Sequence, residues 1–348
     1  MAFVAPSRIR LLKSSLMATS RADLNMSHSK KHHYVPQFLL RNFAAGGGTR
    51  LYVFDKQTDR VFNANVADLA AENHLYNFSL DDLPVTIEPS LAEFESKAAN
   101  VLREVLSNDN LAHLTVYQRA VLSGLVAQLL LRSPQQRGMM RHINAELRKK
   151  VAAMGTNPDL LQQLRAFDNN EEKLFTASIL SDLMKEFIPI ISGKAWILHS
   201  VPEGERLYIS DNPVAMHNGT KSDLLGGIGL AVKGVEVYLP VSGIRCLAMY
   251  CPSVISELGA AYEYYKRLTV SAEYGPPPPP PEEAECVLNA LRTGKCMALH
   301  KESVELVKSL QVWNAERYVY SGVDDFALAR EMLETNPSLR GGPRPQVG

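Results

Sequence analysis

Two adjacent imidazoles, His32 and His33, follow Lys30 and Lys31 and precede Tyr34-Val35-Pro36. Paired histidines beside two ammonium groups can ligate a metal, take a proton as general base, or help hold a phosphate. A second set lies far along the chain. Gln128 and Arg132 are spaced i, i+4 and share one face of a segment that is otherwise apolar, with Val126, Leu129, Leu130 and Leu131 around them. A guanidinium on such a segment needs an anionic neighbour, because an unpaired buried charge is very costly. Asp211 is the expected partner, since Ser210-Asp211-Asn212-Pro213 reads as a turn that projects side chains from a strand end. The expectation is that His32, His33, Arg41, Arg132 and the Asp211-Asn212 turn converge. His33 would be the base, with His32 or Asp211 orienting it or holding a divalent metal. Asn212 would complete the catalytic set, and Arg41, Gln128 and Arg132 would face an anionic substrate. The alternative is an ion-pair network that locks two parts of the fold together, which also perturbs pKa values.

Other candidates carry less chemistry. Gly226-Gly227-Ile228-Gly229 lacks the strand-turn-helix context of a phosphate loop, and no G-x-S-x-G elbow is present. The four cysteines, Cys246, Cys251, Cys286 and Cys296, lack both C-x-x-C spacing and an adjacent histidine, which argues against a structural zinc, a disulfide scaffold or acyl transfer. Tyr262, Tyr264, Tyr265, Lys266 and Arg267 could stack on a nucleic-acid strand, but on a helix they point in several directions and read more simply as a solvated face.

The frame that must position these residues is that of an ordinary globular chain. Of 348 residues, 46% are hydrophobic and 21% charged, ample for a core and unlike the composition of disorder. Lys plus Arg and Asp plus Glu each total 37, so no net field draws nucleic acid or acidic lipid, and any such partner needs a local patch. The stretch Val121–Leu131 is too short to span a bilayer, so no membrane partner is expected, and the free cysteines suit a cytoplasmic setting. Residues 1–27 read as a disordered or mis-assigned extension, with Met26 a plausible natural start.

Pro36 opens a short helix before Gly46-Gly47-Gly48, and Leu51–Phe54 with Arg60–Phe62 reads as a hairpin. Helices are expected over Pro89–Leu106, from a Thr115-x-x-Gln118 capping box to Ser133, over 135–154, and over Glu171–Ile188 with a bend or end at Pro189. β-type runs follow at Ala195–Val201, Arg206–Ser210, Val235–Val241 and Ile244–Tyr250. The six prolines of 276–281 can only form an extended connector, set within 275–283. Glu283–Leu310 reads as helical, and Trp313–Tyr320 as a strand or helix end. The fold expected is α+β, a mainly helical first half packed on a small antiparallel sheet from the second half. One domain over 28–322 would be followed by a tail, 323–348.

The segment His32 to Phe43 resembles the opening H-H-Y-V-P-x-F-x-L-R-N-F of the bacterial family called domain of unknown function 4238. Further similarity lies in Gln128-x-x-x-Arg132-x-Pro134, Ser210-Asp211-Asn212-Pro213, Leu239-Pro240-Val241-Ser242 and Ala315 to Ser321. The family implies no single reaction, but some members resemble genes found among bacterial anti-phage defence systems. The H-H-x-x-P order is also similar to the first strand of histidine-metal-finger nucleases, for which Asn73 and His74 would be the later partners. Two readings follow. One is a defence effector with hydrolase or nuclease-like chemistry at the His/Arg/Asp cluster, acting on nucleic acid. The other is a non-catalytic sensor or interaction protein that binds an anionic ligand or phage component there.

Overall fold

The computed structural model describes residues 30–155, 168–218, 229–268 and 282–343. The expected N-terminal extension, the six-proline run and Gly226-Gly227-Ile228 lie outside the described residues.

The architecture is α+β, as the mixed periodicity implies, but strands occur in both halves. The first half contributes β1 (Lys31–His33), α1 (Gln37–Arg41), β2 (Arg50–Asp55), β3 (Arg60–Asn65), β4 (Ala71–Asn73), β5 (Asn77–Leu80) and β6 (Leu83–Thr86). Long helices follow, α2 (Glu88–Asn108), α3 (Val116–Arg132), α4 (Pro134–Ala153) and α5 (Asn169–Ser192). The second half adds β7 (Ala195–Ser200), β8 (Ile209–Ser210), β9 (Ala215–Asn218), β10 (Val235–Ser242) and β11 (Arg245–Tyr250). Last come α6 (Pro252–Leu268), α7 (Glu282–Thr293), β12 (Met297–Ala298), α8 (Lys301–Asn314), β13 (Tyr318–Ser321) and α9 (Ala327–Thr335).

Helix α3 is the hub. Its capping box is formed, with Thr115 accepting from the Gln118 amide at 3.2 Å and Gln118 Oε1 accepting from the Thr115 amide at 3.0 Å. Every residue from Val121 to Leu129 is buried. Helices α2 and α5 pack against it. Gly124 permits the close approach of α2, since a Cβ there would lie 2.7 Å from Phe94 Cζ. Ser133, with Pro134 behind it, breaks α3 and caps α4, as expected of the residue before a proline. Helix α5 runs through Pro189 to Ser192 rather than ending there, and the Arg119 guanidinium accommodates its last turn by donating to the Ser192 and Lys194 carbonyls.

Two sheets flank this bundle, in strand order β12-β7-β11-β10-β9 and β3-β2-β13-β8. The β10/β11 hairpin forms as the alternation implies. Strands β7 and β8, neighbours along the chain, go to different sheets. The second sheet thus joins the first hairpin, β2/β3, to β13 from the far end of the chain. Expected helix Glu283–Leu310 is interrupted at Gly294, which takes φ +68° with Ala112 against it, a place a side chain could not occupy. The region after residue 322 is more than a tail: α9 buries Ala329 and Leu333 in a second apolar cluster with Phe54, Tyr208 and Phe326. No helix among the described residues is long and apolar enough to cross a membrane.

Candidate functional site

Strand β1 is three residues long and pairs antiparallel with β4, His32 opposite Glu72 and His33 opposite Ala71. The alternation of a strand therefore turns the two imidazoles to opposite faces. His32 goes inward. It is 0% exposed, stacks on Tyr76 with centroids 5.5 Å apart and planes at 9°, and accepts the Tyr76 amide on Nδ1 at 3.0 Å. That lone pair is occupied by the fold. His33 is only half-buried. Its Nε2 donates to the Ala67 carbonyl at 3.3 Å, which leaves the basic lone pair on Nδ1. Gln37 Nε2 stands 3.5 Å from Nδ1, and Gln37 Oε1 accepts from Arg41 at 2.8 Å. Arg41 thus reaches His33 only through Gln37, from an exposed position. Burial lowers the His33 pKa, with Lys31 and Arg132 pushing the same way and the Ala67 carbonyl and Glu95 opposing. The ring is neutral at physiological pH.

The guanidinium of Arg132 lies in this same environment. It is fully buried, and its Nη2 meets Glu95 Oε1 at 2.7 Å. Asp211 is therefore not its partner; the carboxylate comes from α2. Burial alone would lower the Arg132 pKa, but Tyr76, Glu95 and Glu88 more than offset it and the net shift is upward. Among the described residues Nε and Nη1 have no hydrogen-bond partner, nor does the Oε1 of Gln128 one turn back on α3. Buried polar atoms left in this way are rare and costly, and point to a bridging water or a ligand.

Glu88 completes the cluster. Its Oε2 lies 4.0 Å from His32 Nδ1, and burial, reinforced by Glu95 and opposed by Arg132, pushes its pKa up to about 7. Glu88 and Glu95 are seven apart on α2 and so share a face, two turns apart, toward Arg132. At the rim, Arg137 of α4 pairs with Glu72 of β4 and covers the Tyr34 ring at 5.8 Å. Glu88 and Glu95 keep 27% and 21% of their side-chain surface exposed, so the cluster opens to solvent past them and His33. The structure thus brings together His32, His33, Gln128 and Arg132, adds Glu88 and Glu95, which the sequence reading overlooked, and holds Arg41 at the edge.

Asp211 and Asn212 belong elsewhere. Asp211 is 1% exposed and accepts three backbone amides, from Glu316 at 2.7 Å and from Arg317 and Tyr318 at 2.8 Å each. Burial nonetheless raises its pKa to about 6, the three amides and Lys56 opposing. Asn212 donates to the Asn314 carbonyl at 3.1 Å and to Gln135 Oε1 at 3.5 Å. Both residues fasten the α8–β13 turn to the strand β8 beside it. Asn73 and His74 do lie beside β1, with Asn73 opposite Lys31 and the His74 amide donating to the Lys30 carbonyl at 2.7 Å, but both are exposed. Among the described residues no group of three or more His, Cys, Asp or Glu side chains is placed to hold a metal.

The similar segments of the sequence meet in space. Asn42 donates to the Val241 carbonyl at 3.0 Å, Gly322 lies against the Phe43 carbonyl, and Asp211 binds 316–318. No curated protein and no solved structure matches the chain. A family model does, over residues 31–325, which takes in β1, the Arg132 cluster and the Asp211 clamp alike, and the chain accordingly belongs to the family described as protein of unknown function (DUF4238).

Proposed function

We propose that the His33–Glu88–Arg132 cluster is an acid–base site for hydrolysis of an anionic, phosphate-bearing substrate such as nucleic acid. In the setting implied by the family resemblance, the protein would be a cytoplasmic effector of anti-phage defence. The observation that carries this reading is a fully buried guanidinium with Nε and Nη1 unsatisfied, next to a neutral imidazole and a carboxyl group pushed up to about 7. Environments that push a carboxyl group up and an imidazole down supply a proton donor and a proton acceptor near neutral pH, and here both act on the same Arg132 guanidinium. His33 Nδ1 takes a proton from water, the water oxygen bonds to phosphorus as the phosphorus–oxygen bond to the leaving group breaks, and protonated Glu88 gives its own proton to the departing oxygen. The orphaned guanidinium nitrogens supply donors for the charge that develops on the phosphoryl oxygens.

A second reading is a non-catalytic sensor that binds the same anion without turnover, since the unsatisfied Arg132 nitrogens would hold an anion without any proton transfer. One experiment separates them. Purified protein is incubated with DNA, RNA, nucleotides and bis(p-nitrophenyl) phosphate, with and without Mg²⁺ or Mn²⁺, beside His33→Gln and Glu88→Gln. Turnover lost in both variants supports the enzyme. Binding without turnover, weakened by a change at Arg132, supports the sensor, and turnover indifferent to His33 removes the acid–base reading.

A further inference from the structure

A cavity of about 240 Å³ lies away from these residues, where strands β7, β10 and β11 meet α6, α7 and α8. Its polar floor is a run of hydrogen-bonding groups. His199 Nε2 lies 3.0 Å from the Tyr250 hydroxyl, and the Tyr238 hydroxyl donates to Glu236 Oε2 at 2.7 Å. The Tyr238 and Tyr250 rings stand edge to face, 6.2 Å apart at 84°. Glu283 reaches the mouth from α7, and the walls are aliphatic side chains of the three helices. None of the described lining residues is Lys or Arg. His199 is 1% exposed, and burial lowers its pKa to about 4, so it contributes no positive charge. Among the described residues its Nδ1 has no hydrogen-bond partner of good geometry, with the Met297 backbone beside it.

An anion in this space would face Glu236 and Glu283 with no Lys or Arg among the described lining to offset them. A neutral apolar molecule would meet neither the half-buried Glu236, which takes the Tyr238 hydroxyl and has His217 at 3.6 Å, nor Glu283. A cation meets all the demands together: carboxylates at two points, π faces at right angles, and a greasy wall for its body. The volume is just below the roughly 300–1,000 Å³ of sites for drug-sized ligands, so the occupant is small.

We propose that this cavity binds a small organic cation, an alkylammonium head with an apolar body, the head held between Glu236, Glu283, Tyr238 and Tyr250. The head could belong to a free metabolite or to a methylated lysine of a protein.

The test is calorimetric titration of the full-length protein with hexyltrimethylammonium, with hexanoate as the charge-reversed control, and with a trimethyllysine peptide beside its unmodified form. Saturable binding of hexyltrimethylammonium without binding of hexanoate is expected. Glu283→Gln, at an exposed position, should weaken it at least tenfold, as should Tyr250→Leu. Should Tyr250→Leu fail to fold, Leu258→Trp fills the cavity from α6 and should abolish binding. Peptide binding that requires the methyl groups would identify a protein source, while a silent peptide with hexyltrimethylammonium retained would identify a free one; either upholds the cation site. No saturable binding of hexyltrimethylammonium, equal binding of hexanoate, or binding unchanged in folded Glu283→Gln and Leu258→Trp proteins would overturn it. None of these residues belongs to the His33 cluster, so the result is independent of the fate of that reading.

Discussion

Arg132 at the last turn of α3 and Glu95 on α2 form an ion pair of 2.7 Å in which the guanidinium has no exposed surface. Breaking a buried pair from one side leaves the other charge stranded and costs about 3–5 kcal/mol, whereas replacing both partners by apolar groups of similar size is often neutral. Glu95→Gln should therefore lower stability by several kcal/mol, and Arg132→Met/Glu95→Leu should recover much of that loss. Chemical denaturation of the single and double variants measures the coupling. Additive losses would show that the two side chains do not act as a unit.

The paired histidines should behave differently. His32→Ala removes a stacked, buried ring and an acceptor for the Tyr76 amide, a loss of about 2–4 kcal/mol by the usual cost of a cavity and an unmet donor. His33→Gln keeps a polar side chain at a half-buried position and should change stability by less than about 1 kcal/mol, while removing the proposed base. Thermal melts and turnover measured on both proteins check the division. A destabilised His33→Gln protein, or an unaffected His32→Ala protein, would contradict it.

The pH response of Glu88 has a definite sign. Its folded pKa of about 7 exceeds the ordinary carboxyl value of 4.5, so the folded state holds the proton more tightly than the unfolded chain. The associated stability is fully present below about pH 4.5 and is lost as pH rises through 7. Glu88→Gln cannot ionise, so it should become progressively more stable than the wild type between pH 5 and 8. Paired denaturation curves across that range test this, and a constant difference would mean that the carboxyl group is not shifted.

How much of this was legible depends on whether a signal is local. The Thr115/Gln118 box and the break before Pro134 are local, and α3 forms as they imply. Strands β1 and β4 have three residues each, too few for a period, and they form because the Tyr34 amide and the flanking residues find partners across the chain. The need of Arg132 for an anion was readable from its apolar neighbours. Its supplier was not, because two candidates competed: Asp211 in a conspicuous turn, and Glu88 and Glu95 seven apart on one face of α2. That spacing was the available clue. Asp211 is claimed instead by the amides of 316–318, more than a hundred positions away, and nothing in its neighbourhood announces such a contact.

The Asp211 clamp yields the last expectation. Its two oxygens satisfy three amides where α8 hands over to β13, and β13 is the strand that ties β2 to β8. Asp211→Ala orphans these amides in a buried place, at about 1–3 kcal/mol for each that water cannot reach. Asp211→Asn retains one acceptor oxygen but turns an amide N–H toward a donor, so it should recover only part of the loss. Because both Asp211 oxygens are taken by the 316–318 amides rather than by the His33 cluster, any protein that still folds at lower temperature should keep its anion affinity. Hydrogen exchange should localise the damage to 316–321 and the β2 strand beside it. Protection unchanged there, with activity lost, would return Asp211 to the active site and dissolve the separation between clamp and cluster.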